Sequence, residues 1–265
     1  MVDLEVICSS ARSVVKEAVR FLLKERANFD PDAIEYKGFN DLVSYVDKGS
    51  ERLLVNGLQE LIPGAGFITE ENTLTINDRP WQWIIDPLDG TTNFIHGVPC
   101  FCVSVGLTFN GRLMLGIVHE ANLDECFYGW DGGGVYLNDT KACVSSTPDL
   151  SHSLLATGFP YYDFGRMDAY MTVFNYAMKH TRGLRRLGSA AVDLAYVACG
   201  RFDGFYEYGL RPWDVAGGAF LVQEAGGLVS DFSGGGDFIY GNEIIACNRL
   251  IHPAFLKVVS KEFNS

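Results

Sequence analysis

The spacing of apolar positions changes along this chain. From about Leu4 to Lys24, and again from about Lys48 to Leu61, apolar residues recur every three or four positions, which predicts helices buried along one face. Then come short runs rich in Val, Ile, Phe and Tyr: Trp81 to Ile85, Cys102 to Phe109, Arg112 to His119, Glu125 to Trp130 and Gly134 to Leu137. Asn110-Gly111 and the glycines at Gly132 to Gly134 separate them, so an antiparallel meander is expected. Later the pattern alternates. Strands near Leu154, Leu184, Phe205, Leu228 and Ile244 are separated by helical spacing at Met167 to Lys179, Ala190 to Cys199, Val215 to Glu224 and Pro253 to Val259. Runs of strands followed by alternation predict an α+β, mixed αβ chain of stacked layers, with residues 1–150 and 151–265 as its halves. No internal repeat and no low-complexity linker interrupts it.

Composition narrows the class. A chain of 265 residues, 48% hydrophobic, can bury a substantial core. No stretch approaches the roughly 20 apolar residues of a membrane span, and Arg12, Lys16, Glu17 and Arg20 make the first segment unlike a signal peptide. Seven cysteines, an odd number in mostly apolar surroundings, fit reduced thiols in a cytoplasm better than a disulfide framework. Cys100 and Cys102 are expected to alternate along a strand, with Phe101 on its opposite face. A net charge of −12 argues against nucleic acid as a partner. The basic group Arg182, Arg185 and Arg186, with Arg211 further on, runs against that trend and reads either as solvated surface or as a subunit contact.

The chemistry concentrates between Trp83 and Asn93. Ile84 and Ile85 read as the end of a buried strand, Pro87 withholds a backbone donor, and Gly90 permits a tight turn, so that Asp86 and Asp89 can converge on one point. Oxygen donors of this kind suit Mg²⁺, Mn²⁺ or Ca²⁺ rather than zinc. An Asx-rich turn closing a strand is the plain alternative. Glu70-Glu71 follow the apolar run Phe67-Ile68, and Asp214 stands at the start of an apolar helix, where an acidic residue also serves as a cap.

Asp86-Pro87-Leu88-Asp89-Gly90-Thr91-Thr92, together with Trp213-Asp214-Val215-Ala216-Gly217-Gly218, resembles the two signatures of the inositol monophosphatase family. The resemblance extends through Asp41-Leu42-Val43, Asp47, Glu70-Glu71, Gly188-Ser189-Ala190-Ala191 and Glu207, in the family's order over nearly the whole chain. The run from Leu184 to Gly227 is similar to the bacterial members, and Thr69 departs from the glycine usual before the Glu pair.

The resemblance implies a five-layered αβαβα sandwich with the active site between its halves, Asp86 and Asp214 close together. It implies two or three Mg²⁺ ions, with Mn²⁺ as a substitute and Ca²⁺ and Li⁺ as inhibitors. Glu70, Asp86 and the carbonyl of Leu88 would bind the first metal, which activates the attacking water. Asp86, Asp89 and Asp214 would bind the second, which stabilises the leaving oxygen, and Glu70 would share a third. Thr91, paired with Asp47, would orient and deprotonate the nucleophile, although Thr91 could instead cap a helix and Asp47 could instead be the N-cap of the helix after it. The amides of Gly90 and Thr91 would contact phosphate. Glu207, the amide of Ala190 and Asp214 would contact the alcohol, with Asp193 a weaker candidate.

The expected activity is therefore hydrolysis of a phosphate monoester, a reaction that is extremely slow unaided because a dianion repels its nucleophile. The expected substrate is myo-inositol 1-phosphate. Fructose 1,6-bisphosphate or NADP is the alternative within the same fold, the arginines then serving a second phosphate. A small-molecule ester is the expected ligand and a homodimer the expected assembly, with no membrane partner. A different class, a binding protein acting on a macromolecular partner, is kept open because a bacterial relative engages the transcription machinery. His96 reads as structural, and Trp81, Trp83, Phe94, Phe101, Tyr161 and Tyr162 as core or rim packing. Gly132 to Gly134 and Gly234 to Gly236 lack the Lys and Ser/Thr of a P-loop and read as turns.

Overall fold

Helix α1 (Leu4–Ala27) starts where Asp3 Oδ1 accepts the amide of Val6 at 3.2 Å, and it buries Cys8, Ala11, Val15, Ala18, Val19 and Leu22 along one face. The computed structural model describes residues 2–28, 34–38, 41–72, 79–161 and 163–263, with the backbone alone at 34–38 and 41–44. Strands β1 (Ile34–Gly38) and β2 (Asp41–Ser44) pair antiparallel, so Asp41-Leu42-Val43 lie on β2. Helix α2 (Tyr45–Leu61) follows and lies beside α1.

The two helices cover one face of a seven-stranded sheet made, in spatial order, of β3 (Gly66–Thr69), β4 (Trp81–Asp89), β5 (Cys102–Phe109), β6 (Arg112–Glu120), β7 (Glu125–Trp130), β8 (Gly134–Leu137) and β9 (Thr140–Ala142). Strands β3 and β4 are parallel, and the rest form the expected antiparallel meander. Short helix α3 (Thr91–His96) leads from β4 toward β5.

The second half contributes β10 (Leu154–Thr157), α4 (Met167–His180), β11 (Gly183–Arg185), α5 (Ala190–Ala198), β12 (Gly204–Tyr208), α6 (Pro212–Glu224), β13 (Leu228–Ser230), β14 (Glu243–Cys247) and α7 (His252–Phe263). Its five strands stand in the order β11-β10-β12-β14-β13, β10 being parallel to both neighbours and β14 antiparallel to both of its own. Helices α5 and α6 are apolar on nearly every side because a sheet covers each side of them. Helices α4 and α7 close the outer face of the five-stranded sheet. The layers are α1/α2, sheet, α5/α6, sheet, α4/α7: the five-layered αβαβα sandwich.

Glycine lets α6 reach the first sheet. A Cβ on Gly116 would lie 2.4 Å from the carbonyl oxygen of Gly217, and one on Gly106 would lie 2.9 Å from the Cβ of Ala216. Helix backbone and strand backbone are thus in direct contact where β5 and β6 pass under α6, and Asp214 is carried on the helix's first turn.

Two local expectations, for the end of β4 and for Cys100, are corrected, and two alternatives, for Asp47 and Thr91, are set aside. Strand β4 does not end at Ile85 but runs to Asp89. Asp86 pairs with Ser104 and Asp89 with Cys102, so β4 holds one residue more than its partner: Pro87 has no amide to give the ladder and a bulge absorbs the excess. Helix α2 begins at Tyr45, making Asp47 its third residue and not its N-cap. Thr91 is likewise the first residue of α3, whose N-cap is Gly90 in the left-handed region at φ 92°. Cys100 does not alternate with Cys102 on a strand; it precedes β5 with φ 80°, its carbonyl held by Asn93 Nδ2 at 2.8 Å. All seven cysteines are free.

Candidate active site

A cavity of about 640 Å³ opens between the β4–α3 junction, the first turns of α5 and α6, and the end of β12. Glu70, Asp89, Gly90, Thr91, Ala190, Glu207 and Asp214 line it, so residues separated by up to most of the chain share one wall. Asp47, Asp86 and Leu88 are buried at 1%, 2% and 1% exposure. They stand behind the lining, not in it.

Each carboxylate is aimed by the fold around it. Asp86 Oδ1 accepts the amide of Leu88 at 2.9 Å, across the bulge that Pro87 imposes. Asp89 Oδ2 is held from the other half of the chain, by Ser189 Oγ and by the amide of Ala191, each at 2.7 Å. Ser189 is the N-cap of α5, where it accepts the amide of Val192 at 3.3 Å, so one hydroxyl fixes both a helix start and a carboxylate. Asp214 Oδ2 accepts the amide of Arg211 at 2.6 Å, the reciprocal carboxylate of an N-terminal cap. Glu70 follows Thr69, whose hydroxyl donates to buried Glu51 at 3.0 Å; the other oxygen of Glu51 takes the amide of Glu71 at 2.7 Å. Thr69 therefore anchors the segment that carries Glu70.

The acids act on one another. Burial, then the charges of Glu70, Asp89 and Asp214, push Asp86 well above the usual carboxylate range. Burial pushes Asp89 up to about 6 against the pull of its hydrogen bonds to Ser189 and Ala191, and burial with the charge of Asp89 pushes Asp214 up to about 7. Among the described residues no three His, Cys, Asp or Glu side chains form a ready-made metal cage. Asp86 and Asp89 are each anchored through one oxygen, to the amide of Leu88 and to the start of α5, and the charge of Asp89 acts on Asp86. The donor set still fits a hard cation. It is all oxygen, and among the described residues Asp86 Oδ2 and Asp214 Oδ1 take part in no hydrogen bond.

Thr91 Oγ lies 3.2 Å from Asp47 Oδ1 and 2.9 Å from the carbonyl of Leu88, its single proton shared between these acceptors, so the hydroxyl does not cap α3. Gly90 tolerates no side chain there, since a Cβ would lie 2.9 Å from the carbonyl oxygen of Cys100. Asn93 ties this junction to the second half by donating to the carbonyl of Leu187 at 2.9 Å.

The arginine group divides. Arg182 and Arg185 are exposed and do not line the cavity, but half-buried Arg186 and exposed Arg211 do. Arg186 donates to the hydroxyl of Tyr161 and lies over the ring of Phe159, 5.3 Å from its centre. It is the cation acting on Asp89, Asp193 and Glu207. Tyr161 is a wall residue with its hydroxyl engaged, Trp83, Phe94 and Phe101 are buried, and Tyr162 lies outside the described residues. His96 is exposed and away from the cavity. Sequence reasoning missed Ser189 as the partner of Asp89 and Gly158 as the neighbour of Glu207. The Gly188-Ser189-Ala190 run was the available sign of the first; nothing local marks the second.

The chain's likeness to known proteins spans both halves. A sequence model of the inositol monophosphatase family matches residues 3–263. An inositol-1-monophosphatase of Mesorhizobium japonicum is 40% identical over 233 residues, 88% of each chain. The Nus factor SuhB of Escherichia coli strain K12 is 42% identical over 237 residues, 88% of this chain and 89% of its own. A crystal structure of the extragenic suppressor protein suhB from Bartonella henselae superposes with a TM-score of 0.91 at 36% identity, covering 97% of this chain and 99% of the other.

Proposed function

Because the chain belongs to the inositol monophosphatase family, we propose that it is a Mg²⁺-dependent phosphomonoesterase acting on myo-inositol 1-phosphate or a closely related sugar phosphate. The observation that carries this reading is the mutual electrostatic strain of Asp86, Asp89, Asp214 and Glu70 beside one cavity, four acids that a divalent cation would relieve. Glu70, Asp86, the carbonyl of Leu88, Asp89 and Asp214 would hold the metal ions. Bound there, Mg²⁺ would neutralise phosphate charge, make water a better nucleophile and stabilise the departing alkoxide.

The chain's own residues do the rest. Asp47 accepts from Thr91, and the Thr91 hydroxyl is then placed to orient the attacking water and pass its proton inward. The amides of Gly90 and Thr91 face the phosphate. Glu207, the amide of Ala190 and Asp214 hold the alcohol, so that the ester is presented in one orientation. On this reading the halves 1–150 and 151–265 each bring part of the machinery. We further infer a cytoplasmic homodimer inhibited by Li⁺ and Ca²⁺; no helix among the described residues is long and apolar enough to cross a membrane.

The test is phosphate release from inositol 1-phosphate, fructose 1,6-bisphosphate and NADP with Mg²⁺, with and without Li⁺, in the native protein and in Asp89→Asn. Preference for inositol 1-phosphate, lost in the variant and in Li⁺, is the expected result. Preference for either other ester moves the substrate, and no turnover of any overturns the enzyme reading. The identity with a protein named Nus factor favours a second role on a macromolecular partner. That role would survive Asp89→Asn in a cellular complementation assay.

A further inference from the structure

Two carboxyls on the cavity wall lack the partners that buried acids need. Asp193 stands on the first turn of α5 and Glu207 on β12, at 1% and 5% exposure, and both face the cavity. Among the described residues neither side chain accepts a hydrogen bond, and Asp193 Oδ1 is sealed with no partner at all. Burying an acid is costly unless hydrogen-bond donors compensate it. Glu207 is first among the charges acting on Asp193, so the two are near neighbours. A Cβ at Gly158 would lie 2.0 Å from Glu207 Oε2, and its absence leaves that flank of the carboxylate bare.

The surroundings select what can bind. Arg186 acts on both acids, with its Nε buried and without an acceptor, so a cationic ligand would meet a cation already in place. An anionic group would meet two carboxylates. Neutral donors suffer neither penalty, and hydroxyls are the donors a phosphate ester's alcohol can carry.

We propose that Asp193 is a specificity-determining residue: with Glu207 it accepts hydrogen bonds from neighbouring hydroxyls of a cyclic polyol or sugar monophosphate, selecting a neutral alcohol over one bearing a second phosphate. This rests on the phosphomonoesterase reading and narrows its substrate class. Asp193 neither anchors a helix end nor touches Thr91, so its loss should change which ester is used while leaving the hydrolysis of simple esters alone.

The experiment compares the native protein with Asp193→Ala and the isosteric Asp193→Asn on inositol 1-phosphate, fructose 1,6-bisphosphate and p-nitrophenyl phosphate, which has no hydroxyls. In Asp193→Ala, kcat/KM for inositol 1-phosphate should fall about tenfold or more, as when a site built to hydrogen-bond a substrate hydroxyl loses its partner, while p-nitrophenyl phosphate changes less than about twofold. The ratio of fructose 1,6-bisphosphate to inositol 1-phosphate should rise, and Asp193→Asn should show the same split in smaller measure. A parallel fall on all three esters would mark Asp193 as merely structural and overturn the proposal, as would no change on any. If the native protein hydrolyses none of them, the phosphomonoesterase reading fails separately. Calorimetric binding of inositol 1-phosphate with Ca²⁺ then decides: weakening in Asp193→Ala sustains the proposal, and equal affinity or no binding overturns it.

Discussion

The hydroxyl of Thr91 donates to the carboxylate of Asp47 at 3.2 Å across 44 residues of sequence, joining the first turn of α2 to the first turn of α3. The carbonyl of Leu88, 2.9 Å from the same hydroxyl, shares its proton, so the pair is held by the same bulge that sets Asp86. If it moves a proton, Thr91→Ala and Asp47→Asn should each lower kcat by about 10²- to 10⁴-fold with little change in KM, the usual contribution of a positioned acid–base group. Thr91→Ser should recover most of the loss, and the double variant should be no worse than the poorer single one, because the two act as a unit. Steady-state kinetics with Mg²⁺ decides it.

Ser189 serves two structures at once. In Ser189→Ala, Asp89 loses a 2.7 Å donor and α5 loses its N-cap. Thermal unfolding should show about 1 kcal/mol of lost stability from the cap, and Mg²⁺ titration should show affinity lower by about 10- to 100-fold, the usual effect of removing a group that orients a metal ligand. Unchanged Mg²⁺ affinity would mean that Ala191 alone suffices to hold Asp89.

Glu51 makes the reverse test, because it binds no ligand in the proposed mechanism yet holds the Thr69–Glu71 segment. Glu51→Ala would leave the buried hydroxyl of Thr69 without its acceptor, a loss of about 1–3 kcal/mol, and should weaken Mg²⁺ binding through Glu70. Thr69→Val should reproduce part of the effect at smaller size. Chemical denaturation and metal titration of the two variants measure both halves of the claim.

The acid group also predicts how the metal-free protein responds to pH. Asp89 and Asp214 have folded-state values raised to about 6 and about 7 from 3.8, and Asp86 is raised as well. The folded state therefore holds protons that the unfolded chain has released. Their stabilising contribution is complete below about pH 4 and is lost as pH rises through 6 and 7. Stripped of metal, the protein should melt lower at pH 8 than at pH 5.5 by at least about 3 °C, since 1 kcal/mol corresponds to roughly 2–4 °C in a chain this long. Saturating Mg²⁺ should remove the difference at the upper end of that range, and Mg²⁺ affinity should rise over the same interval. A melting temperature that climbs with pH in the stripped protein would count against the arrangement.

Periodicity revealed the elements, because α1 shows one apolar stripe and the meander from β4 to β8 alternates around glycine turns, but the order of the five layers came from the family resemblance, since what covers α5 and α6 on each side is set by tertiary packing. The bulge at Pro87 was illegible, since it depends on the register of β5, which β4 does not encode. Asp86, Asp89 and Asp214 were legible as a set only through their resemblance to a family signature. The bonds that hold them come from Leu88, Ser189, Ala191 and Arg211, and a bond from Ser189 to Asp89 spans 100 residues. The place of Arg186 was left open for the same reason: its neighbours in sequence, Arg182 and Arg185, face solvent, and only the tertiary turn of the chain sends it toward Tyr161 and the cavity.

Helix α6 rests on β5 and β6 through Gly106, Gly116 and Gly217, with main chain against main chain. The distance from Asp214 to the acids of β4 is therefore fixed by bond lengths and strand spacing instead of by the volume of any intervening side chain. A methyl group at Gly106, Gly116 or Gly217 would pry the helix off the strands and carry Asp214 away from Asp86 and Asp89.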